Sequence, residues 1–113
     1  MPVRMEATGG VLTAYLAGEI DHHAAIGLRE TIDTAIRAHA PQLLVLDFAD
    51  VSFMDSSGIG LVMGRYRATR PYGTELVVTS AAPTIEKVMR LSGLERIAAI
   101  SKEVPLYEKA VDE

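Results

Sequence analysis

Two adjacent hydroxyl side chains, Ser56 and Ser57, follow an aspartate near the middle of this chain and precede a glycine-rich stretch. The apolar run 43–48 before them predicts a buried strand, and the spacing after them predicts a helix. A helix start offers free backbone N–H groups and the positive end of the helix dipole, which favour an anion. These residue types therefore indicate a hydroxyl at which a phosphate can be added or removed.

The two serines are predicted to have different roles. Ser57 is the better placed N-cap, because Gly58 and Ile59 then begin the first turn of the helix. Ser56, one residue earlier, is left free to point outward. The apolar stripe that this helix turns toward the sheet is predicted to contain Ile59, Val62, Met63 and Tyr66.

Three glycines in the first half of this helix are unusual, because each costs about 1 kcal/mol relative to Ala. They predict a close approach, either of a neighbouring element or of something from outside. The pattern Gly58-x-Gly60-x-x-x-Gly64 is similar to a dinucleotide fingerprint, but its third glycine comes one position late. The following strand also runs into Thr79 and Ser80 rather than an acidic residue.

Two hydrolytic chemistries do not fit these residues. A serine hydrolase needs a base near its nucleophile, but all three histidines fall on the first predicted helix and Gly-x-Ser-x-Gly is absent. Asp21-His22-His23 spells the signature of the DHH phosphoesterases in three letters only, without their further metal motifs. Asp21 is instead predicted to cap a helix that runs to about His39. No catalytic residue and no metal ligand set is predicted.

The composition predicts a single domain spanning residues 1–113. Of these residues, 49% are hydrophobic and 23% are charged, which is typical of a globular protein. The net charge of −4 and the absence of a Lys/Arg cluster give no support to nucleic-acid binding. No run is long and apolar enough to span a membrane, and the start lacks a secretory h-region. With no cysteine in the chain, a cytoplasmic protein is expected.

Periodicity and turn residues predict an α/β domain with the element order β-β-α-β-α-β-α-β-α. The expected architecture is a mostly parallel sheet of four to five strands with an N-terminal hairpin, packed by about four helices. Gly18 is expected to break the second strand. The predicted strands are Met5–Thr8, Val11–Ala17, Gln42–Phe48, Glu75–Thr79 and Ile97–Ile100. The third predicted helix starts near Pro83 and carries the apolar residues Ile85, Val88 and Met89. The fourth is predicted at Val104–Val111.

Two motifs resemble those of the STAS-domain anti-sigma factor antagonists. Gly18-Glu19-Ile20-Asp21-His22-His23 is followed about thirty residues later by Ser52-Phe53-Met54-Asp55-Ser56-Ser57-Gly58-Ile59-Gly60. The continuation 63–67 is similar to the sporulation branch of that family, the antagonists of anti-sigma-F factors. The resemblance extends over nearly the whole chain.

This resemblance implies a phosphorylation-switched binding protein with no enzymatic activity and no cofactor. The unphosphorylated form would bind an anti-sigma factor that is also a serine kinase, and so release a sigma factor. Phosphorylation of Ser56 would end binding, and a serine phosphatase would restore it. The residues implied to face the kinase are Asp21, His22, Asp55, Ser56, Ser57, Gly58 and Ile59.

Two other functions stay open from the sequence. One is a STAS binding module in another signalling assembly or in a lipid-transport complex. The other is a small nucleotide-binding or hydrolytic protein that uses the glycine-rich helix start. Neither nucleic acid nor membrane is expected as a partner in the leading interpretation.

Overall fold

A computed structural model describes residues 3–103 and confirms the predicted order β-β-α-β-α-β-α-β within them. Short 3₁₀ turns follow the second and third helices, at Arg70–Tyr72 and Leu94–Arg96. The strands are β1 (Val3–Thr8), β2 (Val11–Ile20), β3 (Leu43–Met54), β4 (Glu75–Thr79) and β5 (Ala99–Ser101), and the helices are α1 (His22–His39), α2 (Ser56–Thr69) and α3 (Pro83–Leu91).

The five strands form one sheet in the order β1-β2-β3-β4-β5. β1 pairs antiparallel with β2, and the remaining pairs are parallel. Each new parallel strand is added on the same side of the last, and right-handed crossovers then place every connecting helix on one face. All three helices accordingly bury side chains in one core, namely Leu28, Ile32 and Ile36 from α1, Leu61 and Val62 from α2, and Ile85 and Met89 from α3.

The predicted N-terminal hairpin is confirmed. Gly9 and Gly10 connect β1 to β2 with φ angles of 58° and 83°. Two consecutive positive φ values are what a two-residue type I′ turn requires, and its twist matches that of the flanking strands. The turn sets the register in which Thr8 pairs with Val11 and Val3 with Leu16.

The prediction that Gly18 breaks the second strand is wrong. Gly18 has φ 83° and lies at a register shift, so the strand bulges and then continues to Ile20. β3 continues beside it to Met54, well beyond the predicted end at Phe48. Ile20 and Met54 form the last residue pair between β2 and β3.

Two further predictions need correction near the C-terminal end of the described chain. The last strand is Ala99–Ser101 and not Ile97–Ile100, because the N–H groups of Ile97 and Ala98 both donate to the Leu94 carbonyl at 3.0 Å. In α3, Val88 is exposed, unlike Ile85 and Met89. The fourth predicted helix, at 104–111, lies outside the described residues.

No helix within residues 3–103 has the length and apolar character needed to cross a membrane. The longest, α1, has 18 residues, and its buried positions form one stripe along it. Most of its exposed residues are polar, as expected of a helix that packs on a sheet with one side only, although Ile26 is also exposed.

An ion pair joins α1 to α2 across the surface of the core. Arg65 Nε lies 2.7 Å from Asp33 Oδ1, and Arg65 Nη2 donates to Asp33 Oδ2 at 3.2 Å. The side chain of Arg65 is only 5% exposed and that of Asp33 is 22% exposed. Burial lowers the pKa of the Arg65 guanidinium, and Asp33 opposes this shift. An arginine nevertheless remains charged in proteins, so the pair is ionic at neutral pH.

Removing one partner of this ion pair is expected to destabilise the fold strongly. Asp33→Ala leaves a nearly buried guanidinium without its counter-charge, and it is expected to lower the free energy of unfolding by about 3 kcal/mol. This value is the lower end of the usual range because Asp33 is partly exposed. Urea denaturation followed by circular dichroism measures this loss. As control, the double variant Asp33→Leu with Arg65→Met removes both charges and is expected to recover most of it. A loss below about 1 kcal/mol for Asp33→Ala would contradict the importance of the pair.

Candidate functional site

Two helix starts lie side by side at the carboxyl edge of the sheet. Ile20 and Met54 are paired across β2 and β3, and the next residue of each chain segment is an aspartate. Asp21 caps α1 by accepting from the Ala24 N–H at 2.8 Å. Asp55 caps α2 by accepting from the Ser57 N–H, also at 2.8 Å. Since paired strands are about 4.8 Å apart, the two caps are neighbours on one surface.

A backbone hydrogen bond joins these two starts directly. The N–H of Asp55 donates to the carbonyl of Ile20 at 3.2 Å. The last residue of β2 is therefore tied to the cap residue of α2. The predicted capping role of Asp21 is confirmed, and His22 and His23 lie exposed on the first turn of α1.

The prediction that Ser57 is the N-cap of α2 is wrong. Asp55 has the extended backbone of a cap, with φ −100° and ψ −166°, whereas both serines belong to the helix. Asp55 takes this position because its carboxylate reaches the Ser57 N–H from the end of the extended strand. Ser56 is thus the first helical residue and is exposed, and Ser57 is the second and is half-buried.

The three glycines of α2 have different structural reasons. Gly58 is buried, and a Cβ at this position would collide with the side chain of Met54. Gly60 and Gly64 are not explained in this way, because a Cβ at either position meets no heavy atom within 4 Å. Each of the two still costs about 1 kcal/mol of helix propensity relative to Ala. The predicted close approach of a neighbouring element is therefore found at Gly58 alone.

The predicted inner face of α2 is correct for three of its four residues. Val62 is fully buried, and Ile59 and Tyr66 are half-buried against the core. Met63, by contrast, is 40% exposed, because the helix is rotated so that Leu61 packs inward instead. The buried positions of α2 are accordingly Gly58, Leu61, Val62, Arg65 and Thr69.

A comparison with family models identifies the domain. Residues 2–109 match the model described as STAS domain, which is nearly the whole chain. The chain belongs to the STAS domain family. The resemblance noted in the sequence, and the single STAS fold that it implied, are thereby confirmed.

The relatives of this STAS domain include anti-sigma factor antagonists. The chain is 34% identical over 112 residues to the anti-sigma F factor antagonist of Paenibacillus polymyxa, which covers 99% of this chain and 91% of the relative. It is 39% identical over 79 residues to that of Lysinibacillus sphaericus, covering 70% and 68%. Among solved structures, unphosphorylated SpoIIAA, an anti-sigma factor antagonist, has a TM-score of 0.77 at 35% identity, covering 97% of this chain and 93% of that one.

The STAS domain also exposes apolar side chains that sequence reasoning missed. Phe53 is 51% exposed two residues before the Asp55 cap, and Ile26 is 46% exposed in the second turn of α1. Met63, in the third turn of α2, is a third exposed apolar side chain on these two helices and the end of β3. Sequence reasoning missed Phe53 because β3 was predicted to end at Phe48, whereas the strand continues to Met54.

A groove of about 360 Å³ runs between α1 and α2 beside the serines. Its polar rim includes His22 and Arg29 from α1, and Ser57 and Arg67 from α2. Its floor includes Gly60, Leu61 and Gly64. Sequence reasoning missed this groove, because its lining comes from two helices that are far apart in the sequence.

The corrected cap gives a direct test of how α2 begins. Asp55→Ala is expected to lower the free energy of unfolding by about 1 kcal/mol, because the Ser57 N–H loses its acceptor. Ser57→Ala is expected to lower the free energy of unfolding by only a few tenths of a kcal/mol, and Asp55→Asn is expected to retain most of the stability. Chemical denaturation of the three variants measures the difference. A greater loss for Ser57→Ala than for Asp55→Ala would restore Ser57 as the cap.

Proposed function

We propose that this STAS domain is an anti-sigma factor antagonist that is switched by phosphorylation of Ser56. In the unphosphorylated form it binds an anti-sigma factor serine kinase, which then releases its sigma factor. A serine phosphatase reverses the modification. The observation that carries this proposal is the exposed Ser56 hydroxyl at the first residue of α2, next to two capping aspartates. The similarity to anti-sigma F factor antagonists supports the same conclusion.

The partner surface consists of the two helix starts and the residues between them. Asp21, His22, Asp55 and Ser56 are exposed there, and Ser57 and Ile59 are half-buried. Gly58 contributes by its size, since it lets α2 start close to Met54. The exposed Phe53 adds apolar area at the rim. A partner that covers this surface must present basic groups to the two carboxylates.

Phosphorylation would act on this surface through charge. The kinase transfers the γ-phosphoryl group of ATP, so that a bond forms between Ser56 Oγ and phosphorus while the bond to ADP breaks and the hydroxyl proton leaves to a base. The product carries about −1.5 to −2 charge on a surface that already holds the carboxylates of Asp21 and Asp55. A complex that buried the phosphate would have to desolvate it, which costs several kcal/mol. A loss of roughly 4 kcal/mol lowers affinity about a thousandfold.

The fold would tolerate the same phosphate. Ser56 is exposed, so the group projects into solvent without displacing core side chains. The helix dipole favours a negative charge at this end by about 0.3–1 kcal/mol. The switch would therefore operate by local electrostatic and steric exclusion and not by refolding. The similarity of the chain to SpoIIAA in both forms, with TM-scores of 0.77 unphosphorylated and 0.69 phosphorylated, supports this view.

A nucleotide-binding function is disfavoured by the same geometry. A phosphate-binding helix start needs free N–H groups, but the Asp55 carboxylate accepts from the Ser57 N–H. Asp21 adds a second negative charge close by. Gly58 is also buried against Met54 and does not line an open phosphate cradle.

Substitution of Ser56 tests the proposed switch. Ser56→Ala is expected to retain the fold and the binding of the anti-sigma factor kinase, and to abolish phosphoryl transfer. Ser56→Glu is expected to weaken binding, but by less than phosphorylation does, because a carboxylate carries one charge and less bulk. Incubation with the kinase and ATP followed by mass spectrometry measures labelling, and calorimetry measures affinity. Ser57→Ala is the matched control and should be labelled like the wild type.

Labelling of Ser57 in the wild type would overturn the assignment of the acceptor. Efficient labelling of the Ser56→Ala protein would do the same. Failure of the unmodified domain to bind any serine-kinase anti-sigma factor would favour instead a STAS module in another signalling or transport assembly.

Substitution of Asp21 separates partner binding from helix capping. Asp21→Ala is expected to lower the free energy of unfolding by about 1 kcal/mol through loss of the cap. If Asp21 also faces a basic group of the kinase, the affinity should fall by a further factor of about ten or more. Asp21→Asn retains the cap without the charge and serves as control: it should keep stability and still lose affinity. Unchanged affinity for both variants would limit Asp21 to its structural role.

A further inference from the structure

Gly60 and Gly64 leave open space beside α2 that no other side chain of the described residues fills. They are four residues apart, so they lie on the same side of the helix, and both line the groove between α1 and α2. Neither would meet a neighbouring atom if it carried a methyl group. Gly58 shows the contrast, because the side chain of Met54 occupies the space that its Cβ would need.

The charged side chains that line the groove are basic, while Ala25, Ile26 and Leu61 add apolar surface. Arg29 and Arg67 lie at its rim, with His22 near the end that holds Ser57. A third arginine, Arg65, also lines it, but its charge is compensated by Asp33. Within residues 3–103, no carboxylate lines the groove, although the adjacent helix starts carry Asp21 and Asp55. The surface therefore has an acidic end and a basic end.

Ser56 stands at the junction of these two ends. It precedes Gly60 by four residues and Gly64 by eight, so the three positions follow one another along the same side of α2. A chain segment lying over the two glycines reaches Ser56 at the start of the helix. At this end of α2 the groove is lined by Ser57, the residue directly after the acceptor Ser56.

We propose that the groove receives an acidic segment of the partner kinase, whose backbone lies against Gly60 and Gly64 and whose carboxylates pair with Arg29 and Arg67. The proposal rests on the function proposed above. The occupant is an acidic protein segment because the rim is basic, and it approaches closely because the floor lacks two side chains. A phosphate on Ser56 would repel such a segment by its like charge, so that one modification acts on contacts along much of α2.

Methyl groups added to the floor of the groove test this proposal. Gly60→Ala and Gly64→Ala should each raise Tm, by about 4–8 °C, because Ala favours the helix and meets no obstacle in the free domain. The same substitutions should weaken binding to an immobilised serine-kinase anti-sigma factor at least tenfold. Gly27→Ala is the matched control. Gly27 lies within α1, has equally open space at its Cβ, and does not line the groove, so Tm should rise with unchanged affinity.

The charges at the rim are tested separately. Arg67→Gln and Arg29→Gln should each weaken binding several-fold and reduce its dependence on salt concentration. Arg37→Gln is the control for Arg67, because both arginines lie in the last turn of a helix and only Arg67 lines the groove. It should leave affinity and salt dependence unchanged.

The outcomes distinguish this inference from the proposed function. If Ser56→Glu weakens binding while the glycine and arginine variants bind like the wild type, the switch stands and the groove proposal is overturned. If Gly27→Ala weakens binding as much as Gly60→Ala does, the effect is not local and the groove proposal is also overturned. If the wild type does not bind the kinase at all, the proposed function fails and the groove proposal fails with it.

Discussion

The parallel pairing of β2 with β3 at Ile20 and Met54 is the contact on which the rest of the site depends. It brings two chain segments to the same height at one edge of the sheet, and each then turns into a helix at an aspartate. The hydrogen bond from the Asp55 N–H to the Ile20 carbonyl fixes this alignment. A shift of one residue in either strand would separate the caps and turn the alternating side chains to the other face.

The helices behind these caps form a rigid support. Sequential strand order places all of them on one face of the sheet, where they share a single core. The ion pair between Asp33 and Arg65 then fixes α1 against α2 away from the sheet. Both helices are thus fixed at their starts by the two caps and further along by this ion pair.

The sequence was sufficient for the fold class and for most elements, because their signals are local. Gly9-Gly10 specifies the hairpin, and Asp21 specifies the start of α1. The errors arose where tertiary pairing overrides local preference. Gly18 is predicted to end a strand, but the pairing with β3 continues past it. Because β3 is longer than predicted and extends to Met54, the cap of α2 is Asp55 and not Ser57. The groove is formed by two helices that are far apart in the sequence, so no local pattern predicts it.

The cap formed by Asp55 has a consequence for how long a modified state would last. Its carboxylate accepts from the Ser57 N–H, so this donor is not free to bind a phosphoryl group on the preceding residue. Such a group would have to remain hydrated and projecting into solvent, where like charge also keeps it from folding back onto the helix. A hydrolytic enzyme could then reach it without waiting for any part of the domain to open. The lifetime of the phosphorylated state would then be set by the concentration of that enzyme, and the structure of the domain itself would not prolong it.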